Sequence, residues 1–122
     1  MKILLAIGAG SFIGAVFRYL LSQLIQTKVL STFPFGTLMV NIIGCFLIGL
    51  VVGVGEKGNL TQGWGLFLAT GLLGGFTTFS AFSNETVSML RDGQLLYASA
   101  YVVSSVVVGL IATLIGIAII KY

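Results

Sequence analysis

Four long stretches of this sequence are apolar almost without interruption: about Ile3–Ile25, Gly36–Gly55, Trp64–Leu90 and Leu95–Ile120. Each reaches the roughly 20 residues that a helix needs to cross the hydrocarbon core of a bilayer. The breakers and charges gather in the intervals Gln26–Pro34, Glu56–Gln62 and Arg91–Gln94. None of those intervals is long enough to bury a core of its own. The expected architecture is therefore an all-α membrane protein, a single four-helix transmembrane domain over residues 1–122. Whatever this chain does, it does inside the bilayer.

Composition agrees with lipid as the main solvent: 57% of the residues are hydrophobic and only 7% charged, where soluble domains run near a quarter charged. The single cysteine, Cys45, excludes an internal disulfide, and there is no histidine. Zinc sites of the usual kind, Ser-His-Asp triads and imidazole proton shuttles are excluded with it. The formal charge of +3 is spread thinly, and no basic run points to nucleic acid. Met1-Lys2 before Ile3, Leu4 and Leu5 has the look of a signal peptide. Its apolar run outlasts an h-region, meets Arg18 and lacks an Ala-x-Ala-like cleavage site, so it reads as a retained first span.

Orientation in a membrane follows the lysine and arginine count on each side. Lys2, Lys57 and Lys121 fall on the side of the termini, Lys28 and Arg91 on the other, with Arg18 inside span one. Three against two is too weak a bias to fix one topology, and insertion both ways up follows as the sharper expectation. Four helices are also few for enclosing a selective pathway, so an assembly is expected. Gly10 with Gly14, Gly49 with Gly53 and Gly71 with Gly75 offer stripes at which helices approach closely, between subunits or within one.

Polar groups at membrane depth are costly and therefore informative. Arg18 can snorkel to the far interface or place positive potential at an aqueous vestibule. Asn41, with Thr37 one turn earlier on the same face, can serve as interhelical glue or turn its amide donors toward an anion. In span three, Gly74-Gly75 and then Thr77-Thr78 disfavour a regular helix near the bilayer midplane. A break there frees backbone groups that hydrocarbon cannot satisfy. Carbonyls so freed can ligate a cation, and the N-terminus of the second half-helix favours an anion. Phe79 and Phe82 share a face interleaved with Thr78, Ser80 and Ser83, and electropositive phenyl edges can stabilise a dehydrated anion. Glu85 closes the run, by default snorkelling or hydrogen-bonding near the end of the span. Tyr101, Ser104, Ser105 and Thr113 add hydroxyls to span four, groups that commonly bond back to their own helix.

Taken together, Gly14 to Arg18-Tyr19, Gly36-Thr37 to Asn41, and Gly74-Gly75-Phe76-Thr77-Thr78-Phe79-Ser80-Ala81-Phe82-Ser83 with Glu85 resemble the Fluc (CrcB) family of fluoride channels, over nearly the whole chain. The resemblance implies a dual-topology, antiparallel homodimer in a plasma or bacterial inner membrane, passively exporting fluoride and lowering its cytoplasmic toxicity. By position it makes Phe79 and Phe82 the pore phenylalanines and Asn41 the pore asparagine, with Arg18 at the vestibule. Ser80, Thr37, Tyr101, Ser105 and Thr113 become parts of a polar track. Gly74 and Thr77 become backbone-carbonyl ligands, from both subunits, of a structural sodium ion (Na+) at the dimer interface. Members of the family commonly carry threonine where Ala81 stands, and some carry serine at Gly109; both hydroxyls are lost to the track here.

Two other readings compete. A small dual-topology multidrug exporter fits the length and charge balance but needs a carboxylate in span one, which has none. A non-transporting scaffold subunit of a larger membrane complex predicts no ion flux from purified protein. An enzyme is the poorest fit, with three acids and no histidine. The dual-topology expectation is testable by adding two lysines to one set of loops and locating the termini. Activity should fall as the population becomes one-way; full activity from a uniformly oriented protein contradicts it.

Overall fold

The computed structural model describes residues 1–29 and 31–122. Four helices in it are long and apolar enough to cross a membrane. They are α1 (Lys2–Val29), α2 (Phe35–Glu56), a composite third span over Gln62–Arg91, and α6 (Leu95–Lys121). The third span is assembled from α3 (Gln62–Gly65), a π-helical stretch π1 (Leu66–Leu73), α4 (Gly74–Phe76) and α5 (Phe79–Arg91). Large apolar side chains such as Phe12, Phe17, Leu110 and Leu114 stand exposed on the outside, the surface a lipid-soluble protein presents.

The first span runs four residues further than its apolar stretch. Gln26 explains the extension: its amide nitrogen donates to the carbonyls of Ser31 at 2.7 Å and Phe33 at 3.0 Å. Its amide oxygen accepts from the Gly36 N–H at 3.0 Å. One side chain thus ties the end of α1 to the start of α2. At the other turns, α2 and α5 both close with a glycine at φ +76°, Gly58 and Gly93. The Gly58 and Asn59 amides return to the carbonyls of Gly55 and Val54, and those of Gly93 and Gln94 to Leu90 and Met89. This is the paired closure that only a residue at ease with positive φ completes without strain.

Two parallel helix pairs make the body. In the first, α1 lies on π1 and α4: a Cβ on Gly10 would meet the Leu72 nitrogen at 2.7 Å, and one on Gly75 would meet the Ser11 carbonyl oxygen at 2.5 Å. In the second, α2 lies on α6, where Gly49 faces Thr113 and Gly116, and Gly53 faces Ile117 and Ile120. Six of the six glycines proposed as stripes are consumed here. A small-residue stripe lets two backbones touch within one chain before any second chain arrives, so these stripes do not form the assembly surface.

The third span is broken, but not at its glycine pair. Gly74 is helical at φ −61°, ψ −39°, and Gly75 fits a notch against Ser11. The chain straightens at Thr77 (φ −90°, ψ 158°) and Thr78 (φ −148°, ψ 124°), the two β-branched residues. Restricted χ1 freedom makes such side chains easy in extended backbone, and Gly44 on α2 supplies room for the Thr77 methyl.

These contacts generate a test of packing. Gly14→Leu and Gly49→Leu, placed where a Cβ would run into carbonyl oxygens of the facing helix, should each destabilise by about 1–3 kcal/mol. Gly8→Ala, with nothing within 4 Å, should be silent. Equilibrium unfolding in mixed micelles, followed by circular dichroism, reads all three.

Candidate functional site

The break in the third span is also where its unanswered backbone groups are met. Asn41 on α2 clamps Thr78 from both sides: its Oδ1 accepts from the Thr78 N–H at 2.9 Å, and its Nδ2 donates to the Thr78 carbonyl at 3.0 Å. Thr78 in turn starts α5, its Oγ1 accepting from the Ala81 N–H at 3.2 Å, the usual way a helix N-terminus is satisfied. On the other side of the break, Thr77 N–H and Oγ1 both donate to the Leu73 carbonyl. Arg18 Nε donates to the Gly75 carbonyl at 3.2 Å. No donor among the described residues meets the carbonyls of Gly74, Phe76 or Thr77.

Beside the break lies a largely apolar cavity of about 400 Å³, lined by Asn41, Cys45, Gly74, Thr77, Thr78, Phe79, Phe82 and Ser105 among others. Gly74 faces outward, and Phe79 is 78% exposed although it stands in the middle of a span. The Phe79 and Phe82 rings lie 5.7 Å apart, and Phe82 lies 5.0 Å from the ring of the fully buried Tyr101. The Ser105 hydroxyl oxygen is buried and has no hydrogen-bond partner among the described residues.

One turn further along, the polar groups converge on Glu85. Its Oε2 accepts from Thr37 Oγ1 at 3.0 Å and its Oε1 from the Tyr101 hydroxyl at 2.9 Å. Thr37 and Glu85 also line a second cavity of about 400 Å³ at the end of the bundle, with Gln26, Ser88, Asp92 and Gln94. Three helices therefore contribute one ladder: Thr37 and Asn41 from α2, Phe82 and Glu85 from α5, Tyr101 and Ser105 from α6. It runs from the cavity at the break to the polar cavity at the bundle end.

Thr37, Asn41, Phe79, Phe82, Tyr101 and Ser105 are brought together. Ser80 is exposed beside the break, 3.4 Å from Thr78 Oγ1. Thr113 stands apart, donating to the Cys45 carbonyl at 3.0 Å and so stapling α6 to α2. Gly74, Thr77 and Arg18 sit at the end of α4. Of the two expectations for Glu85, hydrogen bonding is the one realised: it turns inward and accepts from hydroxyls on two neighbouring helices. Its spacing, three residues after Phe82 on the same helix face, was the signal available. Only one ion pair occurs among the described residues, Lys121 with Glu56 at 3.2 Å, so Arg18 keeps its charge uncompensated.

Residues 5–117 match the family model described as CrcB-like protein, Camphor Resistance (CrcB). A relative from Flavobacterium psychrophilum named fluoride-specific ion channel FluC is 47% identical over 122 residues, 99% of this chain and 98% of its own. One of the same name from Chlorobium phaeobacteroides is 43% identical over 97% of this chain and 92% of its own. Another, from Phocaeicola vulgatus, is 44% identical over 96% of this chain and 97% of its own.

If Asn41 is the clamp on the break, Asn41→Ala leaves a backbone donor and acceptor unanswered and should destabilise by about 2 kcal/mol or more. Thr113→Val removes one side-chain bond to a carbonyl in a helix interior and should cost under about 1 kcal/mol. Unfolding titrations of the two variants against wild type decide it; equal losses would contradict the clamp.

Proposed function

The chain belongs to the CrcB family, and we propose that it is a multi-pass membrane channel subunit that passes fluoride selectively and without an energy source. The observation that carries the reading is the ladder beside the broken helix. There the Phe79 and Phe82 rings stand beside the Asn41 amide and the Ser105 hydroxyl, and one turn on the Thr37 and Tyr101 hydroxyls are held in place by donating to Glu85. Fluoride is small and strongly hydrated, so only a dense set of donors can replace its water. Asn41 has a second amide N–H beyond the one bonded to Thr78. Phenyl edges carry partial positive charge and hold an anion more loosely than an amide does, which lets the ion leave as well as enter. Neutral hydrogen fluoride crosses lipid and dissociates inside a cell, and a negative interior then drives the anion out through a plasma or inner membrane.

A dual-topology, antiparallel homodimer is the assembly that suits this surface. The cavity at the break is bounded by outward-facing Gly74 and Phe79, so a second copy would supply the missing wall. The near-even distribution of charge between the two sides supports insertion both ways up. A sodium ion at the interface also fits the residues present. The Gly74 and Thr77 carbonyls have no described donor, and a Cβ at Gly74 would find only the Ala69 carbonyl oxygen, at 3.6 Å. Two subunits would offer four carbonyl oxygens, ligands that suit a hard cation. When bound, the ion supplies a fixed positive charge and a bridge between the subunits.

Phe79→Ile and Phe82→Ile test the pathway. Each should slow fluoride efflux from proteoliposomes by about tenfold or more, a barrier raised by about 1.4 kcal/mol, while the oligomer on size exclusion stays unchanged. Wild-type rates in both variants would remove the rings from the pore.

A further inference from the structure

The third residue of the small-residue stripe on α1 is not small. Gly10, Gly14 and Arg18 stand four apart and share a face. The two glycines bring the α1 backbone onto π1 and α4. Arg18 then reaches across the end of α4, where its Nε–H meets the Gly75 carbonyl at 3.2 Å. In a continuous helix that carbonyl would accept from the Phe79 N–H, four residues on; extended Thr77 and Thr78 carry Phe79 away from it. A cationic donor suits the negative end of a helix. With no carboxylate in ion-pair range of Arg18 among the described residues, the Gly75 carbonyl is the partner the fold gives it.

We infer that Arg18 is a positioning residue: its Nε–H, and not its charge, holds the end of α4 and so sets where Thr78 and Phe79 stand in the pathway. The inference rests on the fluoride-channel reading above. It differs from a vestibule role, in which the charge alone matters and the hydrogen bond is incidental.

Two substitutions separate the bond from the charge. The amide nitrogen of glutamine stands the same number of bonds from Cα as arginine Nε, so Arg18→Gln keeps a donor for Gly75 and drops the charge. In Arg18→Lys a methylene replaces Nε, and the charge is kept one atom further out. Each variant is reconstituted in liposomes beside wild type, and efflux is followed with a fluoride-selective electrode. Arg18→Gln should run within about twofold of wild type, and Arg18→Lys about tenfold slower, the size of a lost hydrogen bond. A fast lysine variant with a slow glutamine variant would overturn the inference and return Arg18 to a purely electrostatic role. Two fast variants would overturn it by showing the bond dispensable, and two slow ones by showing the charge indispensable. Should the lysine variant fail to assemble, Arg18→Met, with neither donor nor charge, takes its place. It should be as slow as expected for lysine, and methionine and glutamine variants of equal rate would overturn the inference. A wild-type protein that passes no fluoride is a separate outcome, seen before any variant is compared; it would sink the channel reading and this inference with it.

Discussion

Backbone amides and carbonyls that lose their helical partners inside a bilayer have no water to turn to. Two consecutive extended residues, Thr77 and Thr78, impose that condition here, and much of the surrounding architecture answers it. Asn41 takes both polar groups of Thr78, the Thr78 hydroxyl begins the next helix, and Arg18 takes the Gly75 carbonyl. Glycine notches on α1 and α2 bring these side chains into range. The carbonyls of Gly74, Phe76 and Thr77 meet no donor among the described residues.

The same break aims α5. Its first residues carry Phe79 and Phe82, and one further turn carries Glu85 into contact with Thr37 and Tyr101. Groups that make a small anion's passage physically reasonable are thereby collected from three helices into one line. Further along the same two helices, α2 and α6 pack through Gly49, Gly53 and Gly116, and Tyr101 is fully buried. Tight packing of parallel helices and selective conduction are two results of one arrangement.

Much of this was legible in the sequence. Runs of about twenty apolar residues gave four spans whose cores agree with the helices, and the clash between glycine-threonine composition and regular helix announced the break. Of the two weak points named, packing against Ser11 keeps Gly75 helical, and the β-branched Thr77 and Thr78 take the extended backbone. Stripes of small residues read equally well as contacts within or between chains, and only the fold assigns them to the former. For Glu85 the sequence leaves water and hydrogen bonds both open; that two hydroxyls wait on neighbouring helices is tertiary information. Thr113 enters the polar track only through the family resemblance, and nothing local tells that its hydroxyl meets the Cys45 carbonyl.

The central claim is that this fold passes fluoride by itself. Purified protein in liposomes loaded with equal fluoride and chloride, opened to a potential with a potassium ionophore, puts it to the test with two ion-selective electrodes. The account predicts rapid loss of fluoride with chloride retained. Vesicles as tight to fluoride as protein-free lipid, or leaking both halides alike, would contradict it.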